Sequence, residues 1–501
     1  MESTYKSRIQ FLLSRLAGFL NAFLKNKRGI VGILILVFYI AIAIAAPYIT
    51  VHSPYERYVA GDYAAPLWWK YITGNPDQYN TNMELVSSPG FGDPTSLQPK
   101  NWNFSSSSPY IELIWNKQVG SEDSGPGCAQ ILFTRPGETP LRSITANLTR
   151  SFYFSSTNPP TRFIATATVM TEGIENLQSV KIVVFIAKNG NMTNLWVIHE
   201  TNSTDWIHPK PPMDSYDSGL RQQIAGNFSQ DVAALVFTGP GKYTFGVEVT
   251  FIDTKAIPVK VSVYVDDLNL KLFGNSYGLL GTDHEGRDIF SQLVFGARIS
   301  LLVGLLSAFL SVILGLLIGL ISGYIGGIVD EVLMRFTDAL LVIPTLPLLM
   351  VLVAVLGSSI WNLIIVIGIL GWMGFARTVR SQVLSLKERP FVEAAKAAGA
   401  GKWHIILTHM IPNVMTLVYV TLALSVPSAI LSEAALSWLG LFDPTVISWG
   451  RMLHDVQYNE GVSRPWWVIP PGVSIALVSL SFIMLGFALD EILNPKLRKR
   501  R

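Results

Sequence analysis

Residues 29–49 (GIVGILILVFYIAIAIAAPYI) carry no charged side chain. Wound as a helix at about 1.5 Å per residue, such a run crosses the ~30 Å hydrocarbon core of a bilayer. Comparable apolar runs recur from residue 299 to the C-terminal end, and that recurrence restricts the fold more than any other feature. The composition agrees, with 50% hydrophobic and 15% charged residues in 501. A net charge of +3 is too small to imply a nucleic-acid partner. The single Cys128 excludes an intrachain disulfide and a multi-cysteine metal site. Lys25, Lys27 and Arg28 precede the first run, and Lys496, Arg498, Lys499, Arg500 and Arg501 follow the last. Positive residues collect on the inner side, so both termini are expected in the cytoplasm, in a multi-pass protein of the plasma membrane.

Residues 1–28 form a cytoplasmic segment whose stretch 5–28 mixes basic and apolar residues at helical spacing. An interfacial helix fits it, with a presequence as the alternative. Residues 29–49 read as transmembrane helix 1, crossing outward, rather than as a cleaved signal peptide.

Residues 50–275 are rich in Pro, Asn, Ser, Thr and Gly and contain no spanning run. Strand-like alternation marks 163–170, 180–187, 195–199, 232–237, 243–252 and 258–273, punctuated by Asn189-Gly190 and Gly239-Pro240-Gly241. This predicts an inserted extracellular all-β sandwich or jelly roll, with 50–129 as loops packed around it. Trp68, Trp69, Trp102 and Trp115 suit either its core or a stacking platform. Five Asn-x-Ser/Thr sequons, at Asn103, Asn147, Asn191, Asn202 and Asn227, fall only in this insert and mark candidate glycosylation sites.

Residues 276–492 return to membrane character. His284 between Asp283 and Glu285 could suggest a metal site, but adjacent side chains do not converge on one ion. An Arg287/Asp288 cluster tying the start of a helix by charged hydrogen bonds is expected instead. Helix 2, about 299–323, carries Ser307, Ser311, Gly315, Gly319 and Gly323 at four-residue spacing, a small-residue stripe for close helix packing. Asp330, Glu331 and Arg335 follow in an inner turn. Pro344 and Pro347 should kink helix 3, about 338–356. Helix 4, about 359–376, ends at Arg377 and Arg380. Helix 5, about 414–439, contains Pro427 and Glu433, an acid within a span that reads as a pathway residue or a structural hydrogen-bonding group. Helix 6, about 467–489, opens on Trp466-Trp467, and a basic tail, 493–501, closes the chain.

Between helices 4 and 5 lies a polar hairpin, 381–412. Pro390 suits the first turn of a helix, alanines its body and Gly399 its end, and a second short helix from Lys402 should stop at Pro412. Glu393-Ala394-Ala395, Gly399 and His409-Met410-Ile411-Pro412 resemble the coupling motif of ABC importer permeases. The stretches 281–301, 431–441 and 448–453 resemble C-type subunits of dipeptide and oligopeptide permeases. The last helix departs from that pattern, reading Leu485-Gly-Phe-Ala-Leu-Asp490 where the family is more polar.

The resemblance implies six transmembrane helices, a second permease subunit, two cytoplasmic ATPase subunits and an external solute-binding protein. Substrate would move by alternating access, with ATPase closure relayed through Glu393–Pro412. No P-loop occurs, since Gly241-Lys242 and Gly401-Lys402 precede Tyr243 and Trp403. The chain is therefore expected to be no enzyme and to hold no cofactor, ATP and magnesium being bound by the partner subunits. Peptides and oligosaccharides both stay open as cargo, and the insert has three open roles: docking the binding protein, shielding the outer mouth, or binding sugar, as Val261–Leu270 resembles a galactose-binding jelly-roll strand. A membrane-anchored adhesin or sensor is the alternative outside transport, but it would need only one or two helices.

Overall fold

The computed structural model describes residues 23, 25–86, 90–121, 125–137, 139–200 and 205–493. The expected N-terminal interfacial helix, Asn202 and the basic tail lie largely or wholly outside them. The chain forms two compact units, one of residues 57–287 and one of residues 1–56 with 288–501.

Among the described residues the first unit holds ten antiparallel strands in two five-stranded sheets. One places β10 (Val259–Phe273) beside β1 (Met83–Glu84), β4 (Cys128–Arg135) and β6 (Arg162–Glu172), with β3 (Ile111–Asn116) outside β4. The other runs β2 (Asn103–Ser106), β5 (Arg142–Phe154), β9 (Gly241–Asp253), β7 (Ser179–Lys188) and β8 (Asn191–Glu200). Alternate residues of both sheets share one core, as where Phe133 of β4 meets Phe251 of β9 with ring centroids 5.2 Å apart. An ion pair closes one end of it. Arg135 donates to both oxygens of buried Asp253, at 2.8 and 3.0 Å, and also to the carbonyls of Lys255 and Ile257.

Two expectations are corrected here. Residues 50–129 are not only loops, since they contribute β1 to β3 and the start of β4. Residues 232–236 form a short helix capped by Asp231, not a strand, because a brief apolar run has no periodicity to separate the two.

Elsewhere in this unit Arg162 pairs with Asp214 and lies over the Tyr58 ring. Burial pushes the neighbouring Asp62 carboxyl up to about 6 from 3.8, opposed by a hydrogen bond from Tyr216 and by Arg162. A raised carboxyl favours the fold fully below its unfolded value, and that contribution is lost as pH rises through the folded one. The expected result is that Asp62→Asn gains stability relative to wild type between about pH 4 and pH 6. Thermal unfolding across that window checks it, and a constant difference would count against the assignment.

The second unit is helical. Among the described residues five helical stretches are long and apolar enough to cross a membrane, and a sharply bent pair raises the number to as many as six. They begin with α1 (Lys27–Ile49) and α2 (Ile289–Ile325), which Asp288 caps by accepting from the N–H groups of Phe290 and Ser291. The bent pair is α3 (Gly327–Val342) and α4 (Thr345–Leu356), meeting at 92°. The kink expected in helix 3 is thus a break at Ile343–Pro344. α5 (Ile360–Leu370) and α6 (Met373–Lys387) continue one another, so Arg377 and Arg380 lie inside a helix, not at its end. After α7 (Pro390–Ala397), residues Lys402–Ile405 lead through a π turn, Ile406–Met410, into α8 (Ile411–Trp438). The second arm of the hairpin therefore does not stop at Pro412. Its π turn bonds Ile411 N–H to the Ile406 carbonyl, and Pro412 sits in the first turn of α8, where no N–H is needed. α9 (Trp449–Tyr458) and α10 (Pro465–Leu493) complete the unit.

The small-residue stripe divides in two. A Cβ on Gly319 would lie 2.6 Å from the Ala376 carbonyl oxygen and 2.7 Å from Val379 Cβ, so α2 and α6 touch backbone to backbone there. Gly315 and Gly323 face α6 in the same way. Gly319→Val should force these helices apart and destabilise the fold by about 1–3 kcal/mol, the usual range for overpacking. A drop in melting temperature in detergent checks this, and an unchanged one would refute the contact.

Candidate functional site

The hairpin presents the site. Arg389 leads into Pro390 at the first turn of α7, and Val392 is the one fully buried residue of that helix. Val392 packs in a cluster with Val383, Ile405, Ile406 and Met410, which fixes both arms on the helices beneath. Glu393 and Ala394 are exposed and Ala395 is half-buried. Gly399 has φ +84° and follows a helix end closed by Gly399 N–H to the Lys396 carbonyl and Ala400 N–H to the Ala395 carbonyl. Only glycine takes that backbone without strain. His409 is half-buried with its ring 5.9 Å from Phe391, and Pro412 is exposed.

Three large apolar side chains stand out on this hairpin. Phe391 is 42% exposed, Trp403 65% and Leu407 62%. The reading by sequence missed them because it searched for the motif, whereas an apolar residue on a polar, charged hairpin was the available signal. Behind the hairpin, Arg380 of α6 grips both oxygens of Asp330 at 2.6 Å, and Ser322 donates to the same carboxyl. Arg377 pairs with Asp338. The broken helix α3 is thereby tied to the helix that carries the hairpin.

Glu433 lies deep, 3% exposed, and its Oε1 accepts from Ser437 at 2.8 Å and Ser448 at 2.6 Å. Ser448 also caps α9, and Trp449 donates its backbone N–H to Ser300 and its ring N–H to the Leu293 carbonyl. Glu433 thus joins α8 to the start of α9. Of the small-residue stripe, Ser307 donates to the Ile364 carbonyl and Ser311 lies beside Gly371.

In the β unit, Arg287 pairs with Asp283 at 2.7 Å rather than with Asp288, which instead caps α2. Among the described residues no cluster of His, Cys, Asp or Glu has the arrangement to hold a metal ion. Asn103, Asn191 and Asn227 are exposed, and Asn147 is half-buried in the middle of β5. The tryptophans expected as core or platform divide. Trp102 is buried against Phe91 and Phe245, whereas Trp68 is exposed with its ring N–H on the Leu279 carbonyl.

A bundle of apolar, partly broken helices with an exposed polar hairpin defines a polytopic membrane permease. Residues 315–499 match the family described as the binding-protein-dependent transport system inner membrane component, and residues 14–66 match the N-terminal transmembrane domain of oligopeptide transport permease C. The dipeptide transport system permease protein DppC of Alkalihalophilus pseudofirmus is 43% identical over 220 residues, 44% of this chain and 72% of that one. The oligopeptide transport system permease protein OppC of Haemophilus influenzae is 44% identical over 221 residues, 44% of this chain and 71% of that one. The chain belongs to this family of binding-protein-dependent inner-membrane permeases, in its dipeptide and oligopeptide branch. It is a multi-pass protein of the inner membrane, in a family that is in general non-catalytic and implies ATPase and substrate-binding partners.

Among solved structures, a family 11 carbohydrate-binding module from Clostridium thermocellum is similar at 11% identity and a TM-score of 0.19, over 39% of this chain and 96% of that one. A second chain, described by the promiscuous specificity of carbohydrate-binding modules of the β-sandwich superfamily, scores 0.22 at 10% identity, over 42% of this chain and 63% of that one. Scores this low carry no argument about fold or ligand.

Removing the exposed apolar pair in Phe391→Ala/Trp403→Ala should leave the stability of the isolated chain within about 1 kcal/mol of wild type, since both are surface positions. Co-purification with the ATPase subunits should fall at least tenfold. Undiminished co-purification would remove the hairpin from the interface.

Proposed function

We propose that this chain is one of two permease subunits of an ABC importer for dipeptides and oligopeptides, fed by an external solute-binding protein. ATP and magnesium are held by two separate cytoplasmic subunits, which grip residues 390–412. The observation that carries the reading is the hairpin: exposed Phe391, Trp403 and Leu407 surround Glu393–Gly399 on two arms anchored through buried Val392 and Ile405. Apolar side chains standing free on a charged hairpin fit a groove on a partner. The relatives, permease proteins of dipeptide and oligopeptide transport systems, support the cargo.

In this reading Glu393, Ala394, Ala395, Gly399, His409 and Pro412 form the contact that relays closure of the ATPases. The Asp330–Arg380 pair passes the movement to the broken helix α3–α4. Termini and hairpin lie in the cytoplasm, and one crossing by α1 puts residues 50–275 outside. There the β sandwich, of jelly-roll type, docks the binding protein or shields the outer mouth, and the exposed sequon asparagines are available to glycans. Glu433 acts structurally by holding α9 on α8.

The test is ATPase stimulation of the complete complex in liposomes, binding protein included, by short peptides and by oligosaccharides. Stimulation by peptides alone is the expected outcome. Stimulation by oligosaccharides alone would overturn the cargo, and stimulation that persists in Gly399→Asp would overturn the docking role.

A further inference from the structure

β5 turns Ile144, Ala146 and Leu148 into the core of the sandwich, and the next residue on that face is Arg150. A cation therefore continues a row of apolar side chains, opposite Phe245 of β9 in the ladder. Arg150 is half-buried and, among the described residues, has neither a hydrogen bond nor an ion pair. Burial alone lowers its guanidinium from the ordinary value, with no acid near enough to offset it.

Arg150 lines a cavity of about 340 Å³ whose other walls include Trp102 and the loop residues Asp93, Thr95 and Asn101. Trp102 is 2% exposed and packs on Phe91 and Phe245, with ring centroids 6.0 and 6.4 Å away. Its ring N–H meets no acceptor among the described residues. The loop is held by its own bonds. Asp93 accepts from the Thr95 N–H at 2.8 Å, and the Asn101 side chain donates to the Thr95 carbonyl at 3.2 Å. These loop donors are spent internally, whereas those of Arg150 and Trp102 are not.

A desolvated guanidinium and a buried indole N–H are each costly when unpaired. The guanidinium fork matches the two oxygens of a planar carboxylate. Charge narrows the choice further. The walls carry one cation, and Asp93 adds a negative charge that opposes a doubly charged phosphate more than a singly charged group. The volume lies at the small end of ligand sites, which run from roughly 300 to 1,000 Å³.

We infer that this pocket of the β unit binds a small organic carboxylate, gripped at both oxygens by Arg150, with Trp102 donating its ring N–H to the bound molecule. Peptides end in such a carboxylate, and acidic sugars carry one on the ring. The site does not depend on the cargo being a peptide.

The test is calorimetric titration of the full chain in lipid nanodiscs with N-acetyl-alanyl-alanine and with glucuronate. At least one should bind, and the one that does names the source of the carboxylate. Its neutral counterpart, the peptide amide or glucose, should bind at least about tenfold more weakly. Arg150→Gln should lose at least about tenfold in affinity, and Arg150→Lys, which keeps the charge but not the fork, should fall between. Arg150→Gln should also melt no lower than wild type, because it removes an unpaired, desolvated cation.

Failure of both carboxylates to bind wild type at tens of millimolar would overturn the site. Equal binding by the neutral counterparts, or tighter binding of inorganic phosphate, would overturn the ligand. Affinity unchanged in Arg150→Gln would overturn the grip, and a lower melting temperature alongside it would make Arg150 a structural residue. Should Arg150→Gln fail to fold, affinity unchanged in Arg150→Lys would overturn the two-oxygen contact.

Discussion

Inside a bilayer no water is available to a free backbone carbonyl, and each one left unpaired is worth several kcal/mol against the fold. Pro47 in α1 creates such a carbonyl, because a proline at that position gives no N–H to Ala43. Arg298 of α2 supplies the missing donor, reaching the carbonyls of Ala43 and Ile44. The proline in α1 is thus matched by a replacement donor from a neighbouring helix.

Close approach is the second consequence of the same solvent. Lipid tails do not drive helices together as water does, so contact must come from fit. On α2 the glycine half of the small-residue stripe lets the backbone of α6 come within van der Waals distance, while Ser307 and Ser311 of the serine half line a space shared with α4, α5 and α8. The hairpin is rooted at the glycine end, through Val383 and Val392.

The membrane half was largely legible in the sequence, because spanning runs depend only on length and apolarity. Helix ends were not. Arg377 and Arg380 looked terminal, yet α6 continues to Lys387, since a charged residue can face an acid such as Asp330 or Asp338 that only the fold brings near. Pro412 looked like a stop because the π turn that accommodates it has no sequence signature. In the β unit the strands with uninterrupted Val and Phe alternation were evident. β5 was hidden by Ser143, Thr145, Asn147 and Thr149 on its outer face and by small Ala146 on its inner one. At the candidate site the motif residues were readable, whereas Phe391, Trp403 and Leu407 carried only the weaker signal of apolar residues on a charged hairpin, and the fold shows that they are left uncovered.

Where the β unit begins and ends, the chain is zipped to itself. Tyr58 N–H reaches the Glu285 carbonyl at 3.1 Å, Val59 N–H the Gly286 carbonyl at 3.0 Å, and Gly61 N–H the Gly274 carbonyl at 3.1 Å. Two strands of chain leave the helical unit and return as neighbours, so everything between them hangs from a stem. Loop-closure cost grows only with the logarithm of length, and a stem already closed makes even that small. For the helices, the whole sandwich counts as a short turn. A module inserted this way can be enlarged, exchanged or lost over evolutionary time while the helical unit keeps the same fold.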